Sequence, residues 1–252
     1  PDLRNRIRII NKENGGLPAA RKTGLEHATG DYVWHVDPDD WLELDAVESI
    51  VNKIDETGAD VVYFNIFKEY EGRTKIKSDI PHLSDAQAEY IWDMFNHKSF
   101  GSLCNKCIRR SLYANDRVIF AQFSYAEDTF LSSQLVGYSK TIAFLDKPLY
   151  HYRKTNPQAI TRQNLKKRHR EYAFNFMRLY DHYRDLPLEE SPIASIHDEI
   201  LIKLGWYSIL YGVNLYKDYP YLAGDIKKAK VNCRADVFLP GQLLAKLAAK
   251  LK

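Results

Sequence analysis

Cysteine is scarce in this sequence, which contains only Cys104, Cys107 and Cys233. Any disulfide scheme leaves at least one of the three unpaired, so the count excludes a disulfide-stabilised secreted domain and predicts a reducing, cytoplasmic location. A structural zinc site needs about four ligands, and the Cys104-x-x-Cys107 pair supplies only half of them. We therefore interpret these two cysteines as ordinary buried thiols.

Long apolar runs and an excess of positive charge are also missing. No stretch reaches the roughly 18 apolar residues of a membrane-spanning helix, so any membrane contact would be peripheral. The 36 lysines and arginines against 33 aspartates and glutamates give a net charge of +3 over 252 residues. This balance offers no electrostatic argument for nucleic-acid binding. Pro1 opens the sequence without a signal-peptide pattern, and we expect that the sequence starts inside a domain.

The first 161 residues alternate strand-like and helix-like segments. Arg8–Ile10 predicts a short buried strand, Leu17–Thr29 a helix and Tyr32–Val36 a second strand, an order typical of a parallel α/β sheet. The segments that continue the alternation are helices at Asp45–Glu56, Asp85–Asn96 and Glu127–Gly137, a strand at Val61–Ile66, a hairpin or loop at Glu71–Lys77, and paired strands at Thr141–Leu145 and Leu149–Tyr152. We predict a mostly parallel sheet with flanking helices over residues 1–161.

From Leu165 onward, amphipathic helical periodicity replaces this alternation. Leu165–Arg184 and Ile193–Tyr216 predict long helices, and we assign residues 162–252 to a helical C-terminal region. The tail Gln242–Lys252 places four leucines on one face and three lysines elsewhere. We favour a packed terminal helix here, and a weak contact with the inner face of the membrane is the alternative.

The clearest chemical signal is the acidic segment Asp37-Pro38-Asp39-Asp40 at the end of a predicted strand. Side chains two residues apart in an extended segment point to the same side, so Asp37 and Asp39 can hold one divalent cation. Mg²⁺ or Mn²⁺ at the carboxyl edge of the sheet would neutralise a diphosphate. The same residues also form a good turn and helix cap, which is the alternative.

Two further segments carry weaker signals. Asn14-Gly15-Gly16 lets the backbone approach a ligand, and Arg21 in the following helix could contact a phosphate. An ordinary turn with a surface arginine is the alternative. Glu127-Asp128 fits either a helix start stabilised by the helix dipole or a general base, and nothing local decides which of the two carboxylates would act.

These segments have a distinctive order and spacing along the chain. In chain order they are Asn14-Gly15-Gly16, Ala19-Ala20-Arg21, Gly24, Ala28, Gly30-Asp31-Tyr32, Asp37-x-Asp39-Asp40, Asn105-Lys106, Glu127-Asp128 and Tyr150-His151-Tyr152-Arg153. From Ile7 to about Thr161 the sequence resembles the family-two glycosyltransferases, which have the Rossmann-like GT-A fold and invert the anomeric centre. The resemblance implies an enzyme that transfers a sugar from a nucleotide diphosphate to a hydroxyl acceptor.

The resemblance also implies roles for individual residues. Asp37 and Asp39 match the DxD element that contacts the ribose, the metal and the diphosphate, and Asp128 matches the catalytic base. His151 lies where related enzymes can place a metal or phosphate ligand, and Lys106 could meet the diphosphate; a packed histidine and a surface charge are the alternatives. UDP-sugars are the commonest donors in such families, and we expect a glycan or a lipid-linked saccharide as the acceptor.

The sequence departs from the family pattern at its beginning. Such enzymes open with an apolar strand, a helix and a second strand whose acidic residues grip the nucleotide base. None of these is present here, so we expect either that such a segment precedes Pro1 or that the chain is an inactive remnant or a binding module. Another alternative is an Asp-x-Asp phosphatase or phosphotransferase. Those enzymes usually continue with a small residue and Thr or Val, where this chain has Asp40-Trp41.

Overall fold

A computed structural model describes residues 6–162, 164–184 and 215–228, together with residues 186, 200, 201, 204 and 213. The strands are β1 (Tyr32–Trp34), β2 (Trp41–Leu42), β3 (Val61–Tyr70), β4 (Arg73–Lys77), β5 (Lys106–Arg109) and β6 (Ile142–Arg153). The helices are α1 (Gly16–His27), α2 (Ala46–Thr57), α3 (Gln87–Phe95), α4 (Glu127–Tyr138), α5 (Leu165–Arg184), α6 (Leu215–Asp218) and α7 (Leu222–Lys228). Short 3₁₀ helices lie at Arg110–Ala114 and Ile160–Arg162.

The strands form one sheet in the order β1-β5-β3-β6-β2, and β4 pairs with the outer part of β3. Within the described residues β3 and β6 are the parallel pair, and every other pairing is antiparallel. This mixed sheet confirms the α/β class and corrects the expectation of mostly parallel strands. The physical reason is β5, which returns from α3 and inserts between β1 and β3 in the opposite direction. As a result β1, β3 and β6 share one direction, and their carboxyl ends meet at one edge.

One predicted strand and one predicted strand pairing are wrong. Residues 7–15 lie outside helices and strands, and the side chain of Ile9 is 81% exposed, so Arg8–Ile10 forms no buried strand. The segments Thr141–Leu145 and Leu149–Tyr152 were predicted to pair with each other. They correspond instead to the two halves of β6, and both halves pair with β3. The residues between these halves favour a turn, but here they coincide with a shift of register between β3 and β6. The side chain of Asn65 donates a hydrogen bond to Asp146 at this point.

The central strand β3 is buried on both sides because helices cover both faces of the sheet. Phe64 packs with the α2 side of the core, and Tyr63 packs with the larger cluster formed by α3, α4 and α5. In that larger cluster the ring of Phe176 on α5 lies 5.0 Å from the ring of Phe95 and 6.3 Å from that of Phe130. The predicted helix Leu165–Arg184 is confirmed, and it shares its core with the helices on the sheet.

The remaining predictions about elements have mixed outcomes. The predicted hairpin is confirmed as the β3–β4 turn, where Gly72 takes a positive φ of 69° that suits a tight hairpin. Cys104 and Cys107 are buried free thiols, as predicted. Most of the predicted helix Ile193–Tyr216 and all of the tail Gln242–Lys252 lie outside the described residues. Among the helices that are described, none combines the length and the apolar character that crossing a membrane requires.

Candidate active site

The acidic segment leaves β1 at the carboxyl edge of the sheet and crosses to β2 beside β6. The backbone N–H of Asp40 donates to the carbonyl of Asp37 at 3.2 Å, which closes a turn. The Asp40 carboxylate accepts hydrogen bonds from the Tyr150 hydroxyl at 2.6 Å and from the backbone N–H of Arg153 at 2.8 Å. Asp40 therefore anchors the crossing segment to β6.

Asp37 and Asp39 hold different partners. Asp37 accepts a hydrogen bond from the Arg21 guanidinium at 3.2 Å, and its own N–H donates to the Tyr150 hydroxyl at 3.1 Å. The Asp39 carboxylate accepts from the side-chain amide of Asn156 at 2.6 Å. Within the described residues no group of three or more His, Cys, Asp or Glu side chains is arranged to hold a metal ion. A cation at Asp37 and Asp39 would therefore need further ligands from substrate phosphates and water.

Arg21 is the buried centre of the site. Only 8% of it is exposed, and besides Asp37 it donates to the Glu127 carboxylate at 2.9 Å. Burial lowers the pKa of Arg21, but the carboxylates of Glu127, Asp37 and Asp128 outweigh that effect and raise its pKa overall. The structure thus places Arg21 neither at the surface nor free for a phosphate. It joins α1 to the end of β1 and the start of α4.

Glu127 and Asp128 differ in their surroundings. Glu127 is 2% exposed and is held by Arg21, whereas Asp128 is partly exposed and accepts the N–H of Thr129 at 2.8 Å with one carboxylate oxygen. Burial raises the pKa of both carboxyl groups, Arg21 lowers it, and Asp37 raises it. Arg21 donates to both Asp37 and Glu127, so the start of α4 lies close to Asp37.

The predicted loop before α1 is a turn that packs against the segment before α4. The side chain of Asn14 accepts the N–H of Gly16 at 3.0 Å, and Leu17 donates its N–H to the Ser124 hydroxyl at 3.4 Å. Gly16 has a positive φ of 80°, and a Cβ there would lie 3.1 Å from the Ser124 hydroxyl. Asn14, Gly15 and Gly16 are exposed, so ligands have access to this helix start.

Lys106 and His151 are held by other partners. Lys106 is fully buried, so it is not a surface charge, and it donates to the carbonyls of Phe100 at 2.6 Å and Ser102 at 2.8 Å. Both ring nitrogens of His151 contact carboxylates, Glu43 at 2.7 Å and Glu69 at 2.8 Å. His151 is thus the centre of a cluster with Glu43 and Glu69.

Sequence reasoning missed the residues that support the acidic segment. Tyr150 belongs to the segment Tyr150-His151-Tyr152-Arg153, but the sequence does not show that its hydroxyl binds Asp40 and the backbone of Asp37. Asn156 follows β6 in a polar loop with no distinguishing pattern. The sequence shows Glu127 beside Asp128, and a buried carboxylate needs a cation. The motifs contain three cations, Arg21, Lys106 and Arg153, and nothing in the sequence indicates which of them pairs with Glu127.

A sheet of this kind, with helices on both faces and acidic residues at its carboxyl edge, defines a GT-A-like fold. The chain is similar in structure to Staphylococcus aureus TarS residues 1–349 in complex with UDP-GlcNAc, with a TM-score of 0.58 and 18% identity. The alignment covers 88% of this chain and 64% of that one. At this identity the similarity concerns the fold alone.

Sequence comparison then gives related sequences. Residues 2–117 match the model of glycosyl transferase family 2. EpsH of Bacillus subtilis is 35% identical over 156 residues, covering 59% of this chain and 45% of EpsH. The glycosyltransferase GlyA of Streptococcus pneumoniae is 34% identical over 164 residues, covering 60% of this chain and 23% of GlyA. The N-terminal part of the chain is thus similar to glycosyl transferase family 2, and the chain spans less than half the length of either relative.

Proposed function

We propose that this chain is a metal-dependent, inverting glycosyltransferase that moves a sugar from a nucleotide diphosphate to a hydroxyl of a glycan or lipid-linked saccharide. The observation that carries the proposal is the bridge made by Arg21 between Asp37 and Glu127. This bridge ties the end of β1, with Asp37 and Asp39, to the first turn of α4, with Asp128. A carboxylate pair suited to a cation and a carboxylate suited to a base thereby belong to one site.

On the donor side, Asp37 and Asp39 would be the protein ligands of Mg²⁺ or Mn²⁺. These residues fit such an ion, because Mg²⁺ is usually held by one or two carboxylates and completes its shell with phosphates and water. The carboxylates around Arg21 also outnumber its single positive charge. When bound, the ion would neutralise the leaving diphosphate.

The donor that we propose is a UDP-sugar. The TarS structure with the same fold contains UDP-GlcNAc, which supports this choice of nucleotide. The exposed turn Asn14-Gly15-Gly16 would lie next to the diphosphate at the start of α1, where the helix dipole favours an anion. Arg21 would act indirectly, by fixing the position of Asp37.

On the acceptor side, Asp128 would be the general base. Its carboxylate takes the proton of the acceptor hydroxyl while that oxygen bonds to the anomeric carbon from the face opposite the diphosphate. The bond from that carbon to the diphosphate oxygen breaks, and the nucleoside diphosphate leaves. Glu127 is occupied by Arg21 and would hold the first turn of α4 in place.

The location that we propose is cytoplasmic, at the inner face of the membrane. The low cysteine count supports the reducing compartment. A lipid-linked acceptor would be reached there through peripheral contact.

The test compares three carboxylate-to-amide variants of the full chain. We expect Asp39→Asn to abolish Mn²⁺-dependent UDP binding measured by calorimetry. Asp128→Asn should keep UDP binding but lower the release of UDP from a UDP-sugar, with water as the acceptor, by about 10²-fold or more. Asp55→Asn on the exposed surface of α2 is the matched control and should change neither.

Four results would contradict parts of the proposal. Unchanged UDP affinity of Asp39→Asn, or UDP binding that persists in EDTA, would remove the metal role. Normal UDP release by Asp128→Asn would leave Glu127-Asp128 as a simple helix start. If the unmodified chain binds UDP and metal but never turns over, the alternative of a non-catalytic binding module is correct.

A further inference from the structure

One face of the sheet carries an unusual concentration of positive charge beyond the acidic segment. Residues that lie opposite each other in neighbouring strands point to the same face, as do residues two apart in one strand. By the register of β3 with β4 and β6, the cations that share this face are Lys68, Arg73, Lys75, Lys77 and Lys154. The whole chain has a net charge of only +3, so this face is a local feature.

Three of these cations contact no carboxylate directly, although the ammonium groups of Lys77 and Lys154 lie 4.3 Å from the centroids of the Phe100 and Tyr152 rings, and Asp40 acts on Lys154 electrostatically. Within the described residues, no ion pair joins Lys68, Lys77 or Lys154 to a carboxylate. Burial lowers the pKa of Lys154, and Arg162 and Lys77 lower it further. Burial likewise lowers the pKa of Lys68, together with Lys77 and Lys154. The groups repel one another, and a bound anion would relieve that repulsion.

Lys154, one of these cations, lines a cavity together with Arg162. A cavity of about 270 Å³ is lined by residues that include Tyr70, Tyr152, Lys154, Thr161 and Arg162. Its wall is fixed by backbone contacts, since the Arg162 guanidinium donates to the carbonyl of Lys154 at 2.6 Å and Lys154 donates its N–H to Glu69 at 2.8 Å. This volume exceeds the roughly 30 Å³ share of one water several times, so a phosphate and part of the group that carries it would fit.

The cavity adjoins the acidic segment. Arg153, which precedes Lys154, binds Asp40 through its backbone, and Asn156 on the same loop binds Asp39. Tyr150 shares a strand face with Tyr152 and Lys154, and its hydroxyl contacts the backbone of Asp37. A group in the cavity would therefore lie next to a donor held at Asp37 and Asp39.

We propose that this cavity is a subsite for a phosphate group of the acceptor, held by Lys154 and Arg162, with Lys77 adding positive charge near Lys154. The inference rests on the proposed function, and it narrows the acceptor to a phosphate-bearing saccharide or polyol. The donor diphosphate would have a neutralising partner in the cation proposed at Asp37 and Asp39, so a separate group of cations without carboxylate partners calls for a second anion. A membrane surface is a less suitable partner than a single phosphate group, because Lys154 and Arg162 line a concave site.

The test uses sn-glycerol 3-phosphate as the probe, with glycerol as the uncharged comparison. We expect the full chain to bind the phosphate and not glycerol, with or without metal, as measured by NMR titration. The double variant Lys77→Gln/Lys154→Gln should weaken this binding at least about tenfold, because charge-assisted hydrogen bonds are lost. Lys154→Gln keeps the backbone contacts of the cavity wall. Lys140→Gln removes the same charge before the opposite end of β6 and should change nothing.

UDP binding with Mn²⁺ is measured on the same variants. Unchanged UDP affinity in the double variant shows that the protein is folded and supports an acceptor subsite. Parallel loss of UDP and glycerol phosphate binding would overturn the inference in favour of a donor site. Absent binding of glycerol phosphate by the unmodified chain would overturn it too, and so would binding only to phosphatidylglycerol vesicles. Because glycerol phosphate is titrated without metal or UDP, its result is independent of the Asp39→Asn test.

Discussion

Arg21 shows how one buried side chain can organise a site from distant parts of the chain. Its planar guanidinium has donors in a fixed fork, so it reaches Glu127 with one nitrogen and Asp37 with another. A lysine ammonium lacks this geometry. The pairing also has a cost, since burying charges is unfavourable unless every partner is satisfied. The stability of the site should therefore depend strongly on this residue.

We predict that Arg21→Leu lowers the free energy of unfolding by about 3–5 kcal/mol, because it leaves Glu127 buried without its cation. Arg21→Lys should recover only part of the loss. Urea unfolding monitored by circular dichroism measures both. The control is Lys53→Ala, which breaks an exposed ion pair with Glu56 and should change stability by at most about 1 kcal/mol. A similarly small effect of Arg21→Leu would contradict the bridging role.

Lys106 gives a prediction about pH. Burial lowers its pKa to about 8 from the usual 10.5, so between these values the unfolded chain holds this proton and the folded chain has released it. The unfolded state then binds more protons, and stability rises with pH over this window. Relative to Lys106→Met, the unmodified protein should gain up to about 3 kcal/mol between pH 8 and pH 10.5.

The comparison with Lys106→Met is necessary because burial raises the pKa of Cys104 and Cys107 to about 12, which acts in the opposite direction. Both thiols are present in both proteins, so most of their effect cancels in the difference. Urea unfolding at several pH values gives that difference. If it does not change between pH 8 and pH 10.5, Lys106 keeps its proton in the fold.

At the scale of elements, the first turn of α4 depends on the loop before β5. The residue that precedes the helix, Ala126, has a φ of 60°, a left-handed conformation that is unfavourable without glycine. Gly101 packs so closely that a Cβ there would lie 2.1 Å from the Thr129 hydroxyl, and Ser132 donates to the Gly101 carbonyl at 2.7 Å. The loop therefore holds α4, and with it Asp128, in position.

Adding one methyl group at Gly101 should disturb this arrangement. We predict that Gly101→Ala costs about 1–3 kcal/mol through overpacking against Thr129 and also reduces UDP release. Gly24→Ala is the matched control, because a Cβ in the middle of α1 meets nothing and should stabilise the helix by up to about 1 kcal/mol. Thermal unfolding and UDP release measure the two effects. Equal behaviour of the two variants would show that the loop yields without moving α4.

Local patterns predicted most elements well and failed where pairing is long-range. The helices and the β3–β4 hairpin follow from periodicity and turn residues that act within a few positions. Asp146 and Pro148 are turn residues too, yet they lie inside β6, because Asn65 on the neighbouring strand binds Asp146 and keeps the halves together. The position of β5 between β1 and β3 is likewise set by contacts that no local pattern encodes.

The same limit applies to the candidate site. The acidic segment and Glu127-Asp128 could be picked out because their order along the chain is distinctive. The pairing of Arg21 with Glu127 could not be predicted, because this contact joins residues far apart in the sequence and depends on how α1 meets α4. The burial of Lys106 could not be predicted either, because the sequence shows its charge but not the carbonyls that surround it.

At the scale of the whole molecule, the question is whether α5 folds with the sheet or as an appendage. The division at residues 161 and 162 treats the C-terminal region as a separate helical unit. Yet the buried side of α5 belongs to the cluster that also contains residues of α3 and α4. Phe176 makes edge contacts with Phe95 and Phe130. Shared burial of this kind favours one cooperative unit.

The last prediction tests this cooperativity with Phe176→Ala. Removing a buried phenylalanine should cost about 3–5 kcal/mol. If α5 and the sheet unfold together, native-state hydrogen exchange should speed up equally at the amides of α5 and at the buried amides of β3. Leu165→Ala is the control in the same helix, because Leu165 is 56% exposed and should leave exchange unchanged. Faster exchange confined to α5, with β3 still protected and UDP still bound, would show that the C-terminal region is an independent unit.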